Sequence, residues 1–121
     1  MKYMLLIYHD EQTWGARTEA EKQEIYKEYR ELIQELQAKG IYLVGDQLQP
    51  SETGQTVRLR NGKPLVTDGP FAETREQLGG FFFIEAASDD EAKSIAARIP
   101  SARMGAIEVR PVVTANAAKS A

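Results

Sequence analysis

Cysteine is absent from this chain, and histidine occurs once among its 121 residues. Without cysteine the chain has no disulfide, no thiolate nucleophile and no cysteine metal site. One histidine does not favour a tight transition-metal site, so we expect neither a bound metal nor another cofactor. A cysteine-free composition agrees with a reducing cytosol, and we expect a cytoplasmic protein.

Long apolar runs and an excess of positive charge are also missing. The apolar run at residues 4–8 is followed at once by His9, Asp10 and Glu11, and no run approaches the ~20 apolar residues that cross a membrane. The chain has 15 basic and 18 acidic residues, which gives a net charge of -3, whereas nucleic-acid binding favours a basic face. We therefore expect neither a membrane nor a nucleic-acid partner.

The first forty residues predict a strand and then a long helix. Apolar residues dominate residues 2–9, as in a strand buried on both sides. The helix is predicted at residues 19–39, because Thr18 and Glu21 have the spacing of a capping box and apolar residues then recur at helical spacing. Gly40 is the expected terminating residue.

The rest of the chain predicts strands, a hairpin and a second helix. Asn61-Gly62 stands between two strand-like segments, and both residue types accept the positive φ of a tight hairpin turn. The predicted elements are a strand at residues 41–44, a hairpin within 56–67, a strand at 79–86, a helix capped by a second box at 88–91 and ended at Pro100, and a strand at 106–113.

This order, β-α-β, hairpin, β-α-β, predicts a ferredoxin-like α+β sandwich with two helices on one face of an antiparallel sheet. We expect a single domain at residues 1–113 and a flexible tail at 114–121. Phe81 and Phe83 alternate with Phe82 and Ile84, so that this strand is apolar on both sides. Two helices cover one face only. A second copy of the chain is expected to cover the other, which predicts a homodimer.

Three segments resemble the YCII-related family, and specifically its DGPF branch. They are residues 1–11, the run from Asp68-Gly69-Pro70-Phe71 to Gly80, and the closing residues 100–111. The resemblance implies a dimeric, ferredoxin-like fold, and most members of the family have no established activity. A shorter branch of the family has been proposed to use a histidine and an acid. Tyr29 stands here at the position of that histidine, whereas Glu73, with Asp68 nearby, is a counterpart of the acid.

The polar loop at residues 68–76 is the first candidate site, because polar loops that enter a buried strand often carry binding residues. Asp68 is a candidate general base or ligand anchor, although it could instead close an Asx turn. Gly69 is expected to be extended because it precedes a proline, and Phe71 is expected to pin the loop into the core. Glu73, Arg75 and Glu76 could line a pocket mouth or form a solvated loop.

His9 is the best acid–base candidate by residue type, since imidazole titrates near neutral pH. The leading hypothesis is a homodimer that binds a small, anionic molecule between the 68–76 loop, His9 and the partner subunit. His9, Asp68 and Glu73 are the candidate catalytic residues, and Arg75, Glu76 and Phe71 the candidate ligand-binding residues. These groups suit elimination or isomerisation without a cofactor. The alternatives are a non-catalytic accessory or regulatory dimer and a protein-interaction module, and whether the chain is an enzyme stays open.

Overall fold

A computed structural model of the protein describes residues 1–113. The predicted tail at residues 114–121 lies outside the described residues. The main elements are β1 (Lys2–His9), α1 (Glu11–Gly15), α2 (Glu19–Ala38), β2 (Tyr42–Gln47), β3 (Gln55–Arg60), β4 (Lys63–Asp68), β5 (Gln77–Glu85), α3 (Asp89–Arg98) and β6 (Ala106–Pro111). Two short 3-10 turns lie at Ser51–Thr53 and Pro100–Arg103.

Local chemistry accounts for the ends of the long helix. The Thr18 hydroxyl accepts from the Glu21 N–H at 3.1 Å, and the Glu21 carboxylate accepts from the Thr18 N–H at 2.9 Å. This confirms the first capping box. Gly40 follows the helix with a φ of +71°, which glycine adopts without the steric cost of a Cβ atom.

Helix α3 begins with half of the second predicted capping box. The Ser88 hydroxyl accepts from the Glu91 N–H at 3.2 Å, but the Glu91 carboxylate accepts from the N–H of Ala87 and not from that of Ser88. The α1 helix was not predicted. It begins after Asp10, whose carboxylate accepts from the Gln12 N–H at 2.9 Å, so its start signal is an ordinary N-cap.

The strands form two separate sheets. Four strands pair in the order β2-β5-β1-β6, and every pair of neighbours is antiparallel. The predicted hairpin forms a two-stranded sheet of its own from β3 and β4, and Asn61 and Gly62 both have positive φ at its turn. The chain is thus an α+β protein with an antiparallel main sheet and three helices among the described residues.

Helices α2 and α3 cover one face of the main sheet and create the core. The alternating residues Tyr3, Leu5, Phe82 and Ile84 are buried there. Burial of one such side chain stabilises a fold by about 1.5–3 kcal/mol. The core side chains of the helices are Leu32, Leu36, Ala92, Ile95 and Ala96.

The opposite face of the main sheet, here called the open face, has no helix over it among residues 1–113. The intervening residues of β1 and β5, Met4, Leu6, Phe81 and Phe83, point to this face and are only half-buried. None of the helices in the described part of the chain is both long enough and apolar enough to span a membrane.

The 68–76 loop differs from its prediction in two respects. Phe71 does not pin the loop into the core: it is 74% exposed, and the Arg58 guanidinium lies 4.8 Å from its ring centroid. Gly69 is not in an ordinary extended conformation but has a φ of +91°. The exposure of Phe71 follows from the sheet topology. Because β4 belongs to the separate hairpin, the loop begins away from the core and crosses the hairpin surface.

Candidate functional site

A cavity of about 340 Å³ lies between α2 and the helix-covered face of the sheet. We call it the His9 cavity. Its floor is formed by apolar side chains of the sheet, including Ile7 and Phe82. Aromatic residues dominate its walls: Trp14 from α1, Tyr26 and Tyr29 from α2, and Tyr42 from β2.

Two glycines of β5 allow close approaches beside the cavity. The register between β1 and β5 shifts between Ile7 and Tyr8, so that Gly79 is an unpaired bulge residue. A Cβ atom there would lie 2.5 Å from the His9 ring, and one at Gly80 would lie 2.8 Å from the Asp46 carbonyl oxygen. Side chains at these positions would therefore displace His9 or β2. Bulges of this kind are common beside functional sites.

His9 is the last residue of β1 and lines the cavity. Its ring centroid lies 6.0 Å from that of Trp14, and the Trp14 ring in turn lies 5.6 Å, edge-on, from Tyr26. Such tilted and edge-on arrangements are the favoured geometries for aromatic pairs. The imidazole is therefore held at one end of a row of rings and is half-buried.

A pair of hydroxyl groups forms a second polar feature of the same cavity. The Tyr29 Oη and Ser101 Oγ atoms are 2.6 Å apart, and Ser101 is only 7% exposed. Tyr29 is held by an edge-on contact with Phe82 at 6.1 Å. Burial raises the pKa of Tyr29, although hydrogen bonds from Ser101 and the charge of Arg103 oppose the rise. The phenol is therefore neutral at physiological pH.

Polar and charged side chains form the rim of the cavity. Gln47 Nε2 donates to Tyr26 Oη at 3.2 Å and so bridges β2 to α2. Arg30 and Asp46 also line the cavity, and no ion pair within residues 1–113 involves either. The pKa of Tyr42 is raised, first by burial and then by the negative charge of Asp46.

The 68–76 loop lines a different depression. This shallow hollow of about 430 Å³ contains Asp68, Glu73 and Gln77, and none of its lining residues in the described part of the chain also lines the His9 cavity. Its surroundings are polar. The Glu11 carboxylate accepts from the Ser51 N–H at 2.7 Å and from the Ser51 hydroxyl at 3.0 Å.

The predicted site residues thus fall into three groups within this chain. Asp68 and Glu73 share the loop depression, whereas His9 lines the separate cavity. Arg75, Glu76 and Phe71 line neither. The carboxylate of Asp68 accepts a long hydrogen bond of 3.4 Å from the Gln55 side chain, which ties it to the neighbouring strand and not to an Asx turn.

A family model described as the YCII-related domain matches residues 1–116. The chain belongs to the YCII-related family. This confirms the family that the resemblance predicted. The chain is also 35% identical over 114 residues to an uncharacterized protein of Rhizobium meliloti (strain 1021), an alignment that covers 93% of this chain and 92% of that protein. Both depressions lie within the matched residues.

The sequence analysis does not single out Trp14 or Ser101 as members of the cavity in this YCII-related protein, and it sets Tyr29 only at the position of the histidine of the shorter branch. The available signal was the Gly79-Gly80 pair inside an otherwise apolar strand, since glycine there marks a bulge or a close approach. Among residues 1–113, no group of three or more His, Asp or Glu side chains is arranged to hold a metal ion.

Proposed function

We propose that this protein binds a small planar organic molecule in the His9 cavity and that His9 transfers a proton to or from it. One observation carries the proposal: the only histidine of the chain lines an aromatic-walled cavity on the helix-covered side of the sheet. A volume of about 340 Å³ falls in the range of small-molecule sites, which are apolar with a few polar groups.

The chemistry that fits is proton transfer without a cofactor. Imidazole gains and loses a proton near neutral pH, and a positioned acid–base group typically contributes about 10²–10⁴-fold to a rate. The flat rings of Trp14 and Tyr26 suit a planar ligand. Arg30 at the rim supplies a guanidinium for a carboxylate. These features support an isomerisation or elimination on a small ring-shaped acid.

Trp14 makes this proposal directly testable, because it is the only tryptophan of the chain and lines the cavity. A panel of planar acids, beginning with benzoate and 2-hydroxybenzoate, is titrated while the tryptophan fluorescence and the melting temperature are recorded. We expect some members to quench Trp14 and to raise the melting temperature. His9→Gln is expected to abolish any turnover of a bound compound, and Asp68→Asn, in the separate depression, is the matched control.

Two results would contradict the proposal. One is a panel in which no compound changes the fluorescence or the melting temperature. The other is a compound that is converted as fast by the His9→Gln variant as by the unmodified protein. The roles predicted for the loop residues stay predictions; these residues are Asp68, Glu73, Arg75, Glu76 and Phe71. Loss of activity in Asp68→Asn would favour these roles over a site centred on His9.

We also propose that two copies of the chain pack their open faces together, as a ferredoxin-like DGPF-branch dimer. The strand order β2-β5-β1-β6 and the two helices on one face support the ferredoxin-like arrangement. Met4, Leu6, Phe81 and Phe83 support the contact, because a half-buried apolar surface of this kind is an association site. This observation also favours the second candidate function, a non-catalytic accessory or regulatory dimer.

Light scattering after gel filtration tests the dimer. We expect a mass of twice the 13.5 kDa of one chain, and a single-chain mass for Phe83→Glu. Lys27→Glu is the control, because Lys27 is exposed on α2, which covers the opposite face of the sheet. A single-chain mass for the unmodified protein at high concentration would contradict the dimer. A cytoplasmic location and a single domain at residues 1–113 stay predictions.

A further inference from the structure

The hydroxyl pair of Tyr29 and Ser101 has an unused donor. Two hydroxyl groups carry two protons, and the bond of 2.6 Å between their oxygens uses one of them. Whichever hydroxyl donates, the accepting one keeps its own O–H. The backbone N–H of Ser101 also approaches the Tyr29 oxygen, but it is a donor and uses neither hydroxyl proton. Within residues 1–113 no other group accepts a hydrogen bond from either hydroxyl. The pair can therefore donate one hydrogen bond to a ligand oxygen in the cavity.

The surroundings of the pair favour a fixed donor. Ser101 is held by the 3-10 turn that begins at Pro100, and its backbone carbonyl accepts from the Gly105 N–H at 2.8 Å. Tyr29 is held edge-on against Phe82, on the floor of the cavity. A donor that is preorganised in a largely apolar cavity stabilises a developing negative charge better than a donor in water does.

The base and the donor belong to one cavity. His9 stands at the end of β1, whereas Tyr29 and Ser101 belong to α2 and the turn after α3. A proton acceptor and a hydroxyl donor around one planar ligand are the two groups needed to remove a proton from carbon next to a carbonyl. A steroid isomerase provides the general precedent: it combines a carboxylate base with a tyrosine-containing oxyanion hole.

We propose that Tyr29 and Ser101 bind the oxygen of an enolisable carbonyl group, so that the substrate class is a planar carbonyl compound. This inference rests on the proposed function. The neutral His9 imidazole takes a proton from the carbon beside the carbonyl. The C–H electron pair forms a carbon–carbon double bond, and the carbonyl π electrons move to the oxygen, which becomes an oxyanion held by the hydroxyl pair. The imidazolium then returns the proton to another carbon of the conjugated system, and no oxidant or reductant is needed.

Phenolates test the inference, because a phenolate oxygen resembles an enolate oxygen on a planar ring. The probes are 4-nitrophenolate and its neutral counterpart 4-nitrotoluene, both titrated against Trp14 fluorescence. A hydrogen bond to a charged oxygen is worth about ten- to hundredfold in affinity. We expect 4-nitrophenolate to bind at least about tenfold more tightly than 4-nitrotoluene. The double variant Tyr29→Phe/Ser101→Ala, which has neither hydroxyl, is expected to lose that preference while its 4-nitrotoluene binding stays within about twofold.

Two further variants sharpen the test. Ser101→Ala is expected to reduce the preference for 4-nitrophenolate, since Tyr29 then loses its partner. Tyr8→Phe is the matched control, because Tyr8 lies on the strand beside His9 but points to the open face. The Tyr8→Phe variant is expected to prefer 4-nitrophenolate over 4-nitrotoluene by the same factor as the unmodified protein. The visible absorbance of bound nitrophenol is a second readout, since the hydroxyl pair is expected to keep the ligand ionised and Tyr29→Phe to raise the pKa of the bound phenol.

The outcomes separate this inference from the proposed function. Equal binding of the two probes in the unmodified protein, or a preference that survives in the double variant without both hydroxyls, would overturn the anchoring role while leaving a planar-ligand cavity in place. Failure of both probes and of the planar acids to affect Trp14 would overturn the proposed function and this inference together. A loss of preference in Tyr8→Phe as large as in the double variant would also overturn the anchor.

Discussion

The His9 cavity and the 68–76 loop differ in almost every physical respect. The cavity is lined by aromatic side chains whose rings hold one another, and its floor belongs to the core. The loop is rich in charged residues, yet among the described residues no ion pair involves Glu73, Arg75 or Glu76. The walls of the cavity are therefore held in place by their own contacts. The loop carries charged side chains, but no comparable set of packed rings surrounds them.

Two phenylalanines give the largest test of this difference. Phe82 is 3% exposed on the floor of the cavity, and Phe71 is 74% exposed in the loop. Removal of a buried phenylalanine side chain costs about 3–5 kcal/mol, and we expect this loss of unfolding free energy for Phe82→Ala. For Phe71→Ala we expect a change of less than about 1 kcal/mol, mainly from the contact with Arg58. Urea denaturation measures both.

Equal losses of unfolding free energy in Phe82→Ala and Phe71→Ala would contradict the difference between the packed cavity and the exposed loop. A large loss for Phe71→Ala would mean that the loop packs against another surface, of which a second copy of the chain is the first candidate. Repeating the measurement over a range of protein concentrations shows whether that surface belongs to a second copy of the chain, since stability that comes from a subunit contact rises with concentration.

The glycine at the close approach of β2 to β5 gives the next largest effect. A Cβ atom at Gly80 would lie 2.8 Å from the backbone carbonyl oxygen of Asp46, so that β2 would have to move. Overpacking of this kind costs about 1–3 kcal/mol, which we expect for Gly80→Ala in the same denaturation experiment. Gly15→Ala is the control, because a Cβ atom there meets nothing within 4 Å. A loss at Gly15 that matched the loss at Gly80 would contradict the close approach of β2 to β5.

The sequence predicted elements whose signals are local. The Thr18–Glu21 capping box and the Asn61-Gly62 turn each depend on neighbouring residues, and both occur as expected. The alternation of β5 also placed Phe82 and Phe83 on opposite faces. These features succeed because the chemistry that causes them lies within a few residues of the chain.

The candidate site could be predicted only in part, because it depends on contacts between distant residues. Residue type alone makes His9 a candidate, and the structure places it in a cavity. Ser101 could not be found in this way, since its partner Tyr29 lies 72 residues away in the chain. The prediction that Phe71 is buried was wrong. The local sequence does not show that β4 pairs with β3 alone, in a separate sheet, and this pairing leaves the loop outside the core.

The smallest expected effect concerns an ion pair of the helix layer, which has no counterpart in the loop. Glu35 on α2 accepts from Arg98 on α3 at 2.8 Å and from Lys39 at 3.3 Å. The hydrogen bond from Arg98, followed by that from Lys39, lowers the pKa of Glu35 from 4.5 to about 2. The folded-state pKa is depressed, so the stabilisation is present above pH 4.5 and is lost as the pH falls towards 2.

Glu35→Gln is therefore expected to lower stability slightly near neutral pH and to flatten its decline between pH 4.5 and 2. The effect is small because both side chains are partly exposed and water screens the pair. Arg98→Gln is the matched variant, and the double variant is expected to lose less than the sum of the two single losses. Urea denaturation at several pH values measures this coupling. Additive losses would mean that the two helices are not joined by this pair, so that the layer over the sheet is held by its apolar contacts alone.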